Sequence, residues 1–251
     1  DDTTATAQTA TTRYVNYTQI YKKIFTVSGT ANAVKAAGRK KEVSYLMAKN
    51  GKELKRDQEK SFTGTDVSVA GNSTTARVTA GLDTWLFTND TNGTSGTAYT
   101  ITGGVPVTAR TDGTNRPWTE TLLKEALLAQ YNSGGEVSML MVSPAKKQET
   151  SSFPGIADIR VNANGAKASV IIGAVDIYVS DFGNVDVVPN RFMPTDLAYL
   201  IDPSMAKKRV LRPYFTEELA KTGDAVKMHM IEEAGLEVTN EAAHAVVRDL
   251  S

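Results

Sequence analysis

The chain has 251 residues, 28 of them basic and 28 acidic, so its formal net charge is zero. A chain of this length buries roughly 70–75% of its unfolded surface, so a real core is expected, and balanced charge argues against a dedicated nucleic-acid binder. Cysteine is absent, which excludes disulfides and thiolate chemistry, and no stretch reaches the ~18 uncharged apolar residues of a membrane span.

The sequence opens at Asp1 in a Thr/Ala-rich, acidic stretch, residues 1–12, that lacks the basic and apolar parts of a signal peptide. Of 31 threonines, 26 lie between Thr3 and Thr121. Threonine is β-branched and stiff, so this front half reads as strand and loop. Tyr14, Val15 and Tyr17 stand on a segment without apolar content of its own. Residues 1–19 are therefore expected to be extended, with few contacts inside their own subunit.

Residues 30–62 interrupt that pattern. They contain no proline, two glycines (Gly38 and Gly51) and many helix formers. Val34, Ala37, Leu46 or Met47, Leu54 and Phe62 make a narrow apolar stripe, with Thr30 as cap and Thr63-Gly64 as stop. A helix of that span would be about 45 Å long at 1.5 Å per residue, a strut that can bend at either glycine.

Residues 64–84 read as extended, with Leu82, Trp85, Leu86 and Phe87 as a buried anchor. Residues 89–116, rich in Asn, Thr, Gly and Asp, read as a long exposed and mobile loop. One hairpin is expected within it, over residues 98–102 and 105–109. A helix follows, capped by Thr119 and stapled by Trp118 and Leu123. Leu122, Leu123, Ala126, Leu127 and Tyr131 face inward, and Ser133-Gly134-Gly135 ends it. Residues 137–142 form a strand, and Ser143-Pro144 opens a short helix. Strands are expected at 170–173, 175–179 and 185–188, the last two joined by a turn at 181–184. Further strands are expected at 197–201 and 209–211, over the alternating Val226, Met228 and Met230, and at 243–250. The total is α+β with mostly antiparallel strands.

Catalytic chemistry finds little support. His229 and His244 lack any metal-ligand spacing, and no nucleophile elbow or phosphate-binding glycine loop is present. The pairs Glu217-Glu218 and Glu232-Glu233 read as solvated carboxylates, since nothing fixes two at a catalytic separation. From Arg39 to Lys60 there are eight basic and four acidic residues. A solvated or subunit-facing helix surface accounts for them better than nucleic acid does. Asn16, Asn72, Asn89 and Asn92 open Asn-x-Thr triplets, which chance explains in a chain rich in both residues. No catalytic, metal or cofactor site is predicted.

Several segments carry a family resemblance. In the front half they are Asn16-Tyr-Thr-Gln-Ile20, Val27-Ser-Gly-Thr-Ala31, Ala37-Gly-Arg-Lys40 and Lys52-Glu-Leu-Lys-Arg-Asp57. In the back half they are Tyr178-Val-Ser-Asp-Phe-Gly183, Val188-Pro-Asn-Arg-Phe192, Leu211-Arg-Pro213, Thr216-Glu-Glu-Leu-Ala-Lys-Thr-Gly-Asp224 and Asn240-Glu-Ala-Ala-His244. In this order they resemble a major capsid protein family of tailed bacteriophages with the Hong Kong 97-like capsid fold. The resemblance implies an arm and extended-loop segment at 1–29 and a peripheral domain at 30–118, with a spine helix at 30–62 and the loop at 89–116. It also implies a mainly axial domain at 119–215 and return strands at 216–251. The implied function is a non-enzymatic shell subunit that assembles with itself into hexamers and pentamers around double-stranded DNA, in the virion. Partners would be a portal and a scaffold, protease or decoration protein, with weak, non-specific DNA contact and no membrane. An encapsulin shell is the alternative within the fold, and a β-rich adhesin a more distant one.

Overall fold

The computed structural model describes residues 13–34, 38, 41–153, 176–221 and 223–251. The strand expected at 170–173 and the first twelve residues lie outside them.

Two sheets carry the fold. The smaller has the order β1-β10-β9, from β1 (Gln19–Ser28), β9 (Ala206–Leu219) and β10 (Ala225–Val238), all antiparallel. In β1 the odd residues Tyr21, Phe25 and Val27 are buried while Ile20 and Ile24 face out, the period-2 alternation of a half-covered strand. Across that face lies helix α2 (Glu42–Phe62). Leu54, Met230 and Ala234 complete the buried cluster, with Val43, Leu46, Met47 and Phe62 packed on its rim.

The long helix expected at 30–62 is two helices. A short α1 (Gly29–Ala33) is capped by the Ser28 hydroxyl, and Val34 and Lys41 are both extended. Gly38 has φ of +80°, a left-handed conformation that a right-handed helix cannot contain and that glycine adopts cheaply. The apolar stripe is real from Leu46 onward, but its N-terminal third has a break instead of a bend. At 1.5 Å per residue the strut is about 30 Å long, and it runs straight through Gly51.

The larger sheet has the order β2-β11-β8-β5-β7-β6. Its members are β2 (Asp90–Thr91), β5 (Met139–Val142), β6 (Ile177–Ser180), β7 (Gly183–Pro189), β8 (Ala198–Ile201) and β11 (Ala245–Val247). β5 runs parallel to β7, and β11 parallel to β2; the other pairings are antiparallel. One face packs Leu140, Val142, Val185, Val187, Ala198, Leu200, Ala245 and Val247 under helix α4 (Glu120–Asn132). The other packs Tyr199, Ile201 and Val246 against Leu82, Leu86 and Leu197, where Leu82 and Leu86 come from and just follow the short helix α3 (Leu82–Trp85). β10 joins the two halves: Met230 and Ala234 belong to the first cluster, while Leu236 and Val238 lie against the second.

Local signals hold well around α4. The Thr119 hydroxyl accepts from the Leu122 N–H, and Ser133 closes the helix before Gly134 at φ +82°. Leu123, Ala126 and Leu127 are buried as expected, but Tyr131 is 56% exposed and Gln130 takes the inward place. Gln130 Nε2 donates to the Ala243 carbonyl. Ser143 caps helix α5 (Pro144–Thr150), and the hairpin expected around 98–109 is β3 (Thr100–Thr102) with β4 (Val105–Thr108). The strand expected at 209–211 is far longer, filling all of β9. The sequence-based division at 215/216 falls inside β9, and residues 245–247 pair in the six-stranded sheet.

Two expectations about the front half need correction. Residues 13–19 make close contacts within their own subunit. Asn16 Nδ2 donates to the carbonyls of Ala80 (3.3 Å) and Leu236 (2.8 Å), and its Oδ1 accepts from the Ala80 N–H (2.9 Å). The Val15 N–H donates to Gly104 O (2.9 Å), and the Tyr14 ring meets Trp85 edge-on at 6.4 Å. Nor is 89–116 uniformly exposed. Asn89, Gly93, Tyr99, Gly104 and Pro106 are buried, and the Arg110 side chain is only 4% exposed. Few apolar residues were needed, because polar and ionic contacts fasten the segment.

Candidate assembly surface

The residues that could carry chemistry are absorbed by structure. His244 is fully buried, and its Nδ1 accepts from the Asp202 N–H at 3.1 Å. Burial disfavours its charged form and holds its pKa below the usual 6.5, with Asp202 opposing. His229 Nε2 lies 3.3 Å from Glu217 on β9. Glu232 meets Lys208 at 2.5 Å and Gln58 at 2.7 Å; Glu233 meets Arg77, Arg212 and Thr18. So the second acidic pair is buried and paired, where solvated carboxylates were expected. Burial by itself would raise Glu233, but the hydrogen bonds from Thr18 and Arg212 and the charges of Arg77 and Arg212 hold it below 4.5. Among the described residues no group of three or more His, Asp or Glu side chains could hold a metal ion, and no helix is long and apolar enough to cross a membrane.

The helix surface stays basic: of its carboxylates, Asp57 is taken up by Lys23 of β1 at 2.6 Å, and Glu53 lies 3.9 Å from Lys49. Lys52, Lys55 and Arg56 are exposed. The amides of Asn16 and Asn89 are committed to internal hydrogen bonds, Asn89 donating to Ala242 O and His244 O.

A buried ionic lock fixes the 89–116 segment. Arg248, with no exposed surface, donates from Nε to Asp83 Oδ1 (2.8 Å) and from Nη1 to Asp90 Oδ2 (2.6 Å). Its Nη2 donates to the carbonyls of Asp83 (2.8 Å) and Leu86 (2.6 Å). The guanidinium also lies 5.3 Å from the centre of the Tyr99 ring. Next to it, Arg110 pairs with Asp249 at 2.9 Å and Asp112 at 3.0 Å. Burial alone would raise Asp249, but hydrogen bonds from Arg110 and from the Gly93 and Gly113 N–H groups hold its carboxyl below 3.8. The side chains of Arg248, Arg110, Asp83 and Asp249 are at most 4% exposed, which is the arrangement of a structural ion-pair network. Sequence reasoning missed both arginines; the one signal was a charged Arg-Asp pair set inside the apolar run Ala-Val-Val-Arg-Asp-Leu.

Several of the exposed large apolar side chains lie on two strands. Among the described residues β6 is an edge strand whose alternating Ile177 (55% exposed) and Val179 (71%) face out, while Tyr178 takes the core side. At its turn Phe182 stacks on Tyr131 at 4.7 Å. β9, the edge of the other sheet, exposes Val210, Leu211, Tyr214 and Phe215. Monomeric proteins rarely leave two such strands bare, and large apolar patches mark interaction sites.

Comparison with known proteins agrees. The family model described as SU10 major capsid protein matches residues 1–251. The chain is 29% identical to the major capsid protein of Escherichia phage Phieco32, over 92% of this chain and 74% of that one. In structure it is similar to the cyanophage A-1(L) capsid asymmetric unit, with a TM-score of 0.65 and 15% identity over 92% of this chain and 77% of that one. It is also similar to the SrpI encapsulin of Synechococcus elongatus, with a TM-score of 0.59 and 12% identity over 93% and 74%. At such low identity these structures establish the fold, the α+β Hong Kong 97-like capsid architecture.

Proposed function

The chain belongs to the SU10 major capsid protein family, and from that premise we propose that its copies form hexamers and pentamers closing into an icosahedral head around double-stranded DNA. The family is one of structural shell proteins of the virion and not a class of enzymes. The observation that carries the proposal is the match over residues 1–251, which includes every element described above. In this reading α2 with β1, β9 and β10 is the peripheral domain, and the six-stranded sheet with α4 and α5 is the axial domain. The exposed strands β6 and β9 support it, because ring-closing and self-complementary contacts both need unsatisfied surface. DNA contact is weak and non-specific, consistent with zero net charge. A portal, with a scaffold, protease or decoration protein, completes the assembly.

The encapsulin likeness is one of fold alone, whereas the family match is to phage capsid proteins. Electron microscopy of the expressed chain, alone and with its phage partners, tests the proposal. Closed shells with five- and sixfold capsomers are expected; protein that stays monodisperse and monomeric at high concentration in both settings refutes it.

A further inference from the structure

β9 is 14 residues long, about 45 Å at 3.4 Å per residue, and it is exposed along almost its whole length. Among the described residues it pairs through one edge only, with β10. A long free edge is a template for another strand. Its sequence is Ala-Lys-Lys-Arg-Val-Leu-Arg-Pro-Tyr-Phe-Thr-Glu-Glu-Leu. The basic residues Lys207, Lys208, Arg209 and Arg212 fill the first half, and Glu217 and Glu218 lie near the end. Val210 and Leu211 precede Pro213, and Tyr214 and Phe215 follow it. Read backwards, the strand is its own complement in charge and in apolar content.

We infer that β9 pairs antiparallel with β9 of a second copy of this chain, across a twofold axis close to Pro213. The inference rests on the capsid reading, which supplies the second copy. A twofold axis between antiparallel neighbours stands perpendicular to the sheet and keeps each side chain on its own face. With the axis at Pro213, Lys208 lies opposite Glu218, Arg209 opposite Glu217, and Leu211 beside Phe215. The faces agree. Lys208 and Glu218 pair with Leu236 and Met228 of β10, both on one face, while Arg209 and Glu217 pair with Gly235 and His229 on the other. Two register shifts near Glu233 run in the same sense and give β9 two extra residues there, an even number that keeps its two halves in phase.

The four charges already have partners within the subunit: Glu232 for Lys208, Glu237 for Arg209, His229 for Glu217 and Lys221 for Glu218. Their side chains nevertheless stay 38–64% exposed, so a facing strand can share them. Pro213 has no N–H and is tolerated on an edge strand. On the axis it interrupts the new ladder once, at the midpoint, and spares both charged halves.

The chain has no cysteine, so one introduced thiol reports without background. Pro213→Cys and Lys207→Cys are made separately in the full chain and oxidised mildly, both in purified particles and in concentrated solution. Pro213→Cys is expected to give mostly disulfide dimers. Lys207→Cys should stay monomeric, because its mate lies about 40 Å away at strand spacing, far beyond the ~7 Å Cα limit of a disulfide. Particles in which Pro213→Cys remains monomeric, or in which both variants cross-link equally, overturn the pairing and leave the capsid reading standing. If neither the variants nor the natural chain forms particles, alone or with phage partners, the capsid reading fails, and the solution cross-link alone then decides the pairing. A second test uses charge. Lys208→Glu/Arg209→Glu makes all four facing charges acidic, and Glu217→Lys/Glu218→Lys makes all four basic. Each is expected to lose at least tenfold in particle yield, and a one-to-one mixture to regain most of it. Folded variants whose mixture regains nothing overturn the inference; if either variant fails to fold, the cross-link result decides by itself.

Discussion

Arg248→Met removes the centre of the ionic lock with little change in volume. Four hydrogen bonds vanish, and the Asp83 carboxylate, itself without exposed surface, loses the Nε donor at 2.8 Å. The nearest remaining cation, Arg110 Nε, is 4.0 Å from Asp83 Oδ2, too far to replace it. Breaking a buried pair by removing one partner typically costs ~3–5 kcal/mol, most of it from the charge left behind. At ~2–4 °C per kcal/mol for a domain of this size, Tm should fall by about 6–20 °C. If the stranded charge is the cause, adding Asp83→Asn should recover part of the loss, making the pair non-additive. Urea and thermal unfolding of unassembled subunits, followed by circular dichroism, measure the natural chain, Arg248→Met, Asp83→Asn and the double variant. A loss below ~1 kcal/mol for Arg248→Met, or a double variant as unstable as the sum of the singles, refutes the reasoning.

Met47→Pro, inside α2, removes the hydrogen bond to the Val43 carbonyl and clashes there, costing ~3 kcal/mol or more; insoluble protein or loss of shells is expected in a sedimentation assay. Asn16→Ala strands the Ala80 N–H and the Leu236 carbonyl and should cost about 2–3 kcal/mol by urea unfolding, from the desolvation of unmet polar groups. Stability should fall on acidification in two windows. The lowered pKa of His244 means its neutral form is favoured by folding, so that contribution is complete above 6.5 and is lost as pH falls below it. The depressed carboxyls of Asp249 and Glu233 contribute above their ordinary values of 3.8 and 4.5, and that part disappears as pH falls through their lower folded values. Tm measured from pH 8 to 3 reports both steps, and His244→Gln should flatten the first.

Legibility in the sequence followed the range of the interaction. Thr119, Ser143 and the Ser133-Gly134 stop were readable because a cap acts over three residues. The β6–β7 hairpin was readable for the same reason. The alternation at Ile177 and Val179 locates a face but not which face has a partner. Here the apolar side points outward and Tyr178 inward. The break at Gly38 was hidden because surrounding helix formers outvoted one glycine. Arg110 and Arg248 were invisible, as their carboxylates lie up to about 165 residues away. Composition made 89–116 look loose when buried charge held it. For the assembly surface, sequence supplied the family resemblance, but neither the length of β9 nor that it is an exposed edge.

The position of β11 in the six-stranded sheet has a consequence for synthesis. β11 lies between β2 and β8, and Val246 pairs with both Asp90 and Tyr199. β2 thus waits roughly 150 residues for the strand that joins it to the rest of the sheet. At ~5–20 residues per second on the ribosome, that wait lasts about 8–30 s. Throughout it the faces that later carry Val246 and Val247 stay open, and Asp83 and Asp90 have no Arg248. A nascent chain cannot complete the six-stranded sheet until β11 has emerged.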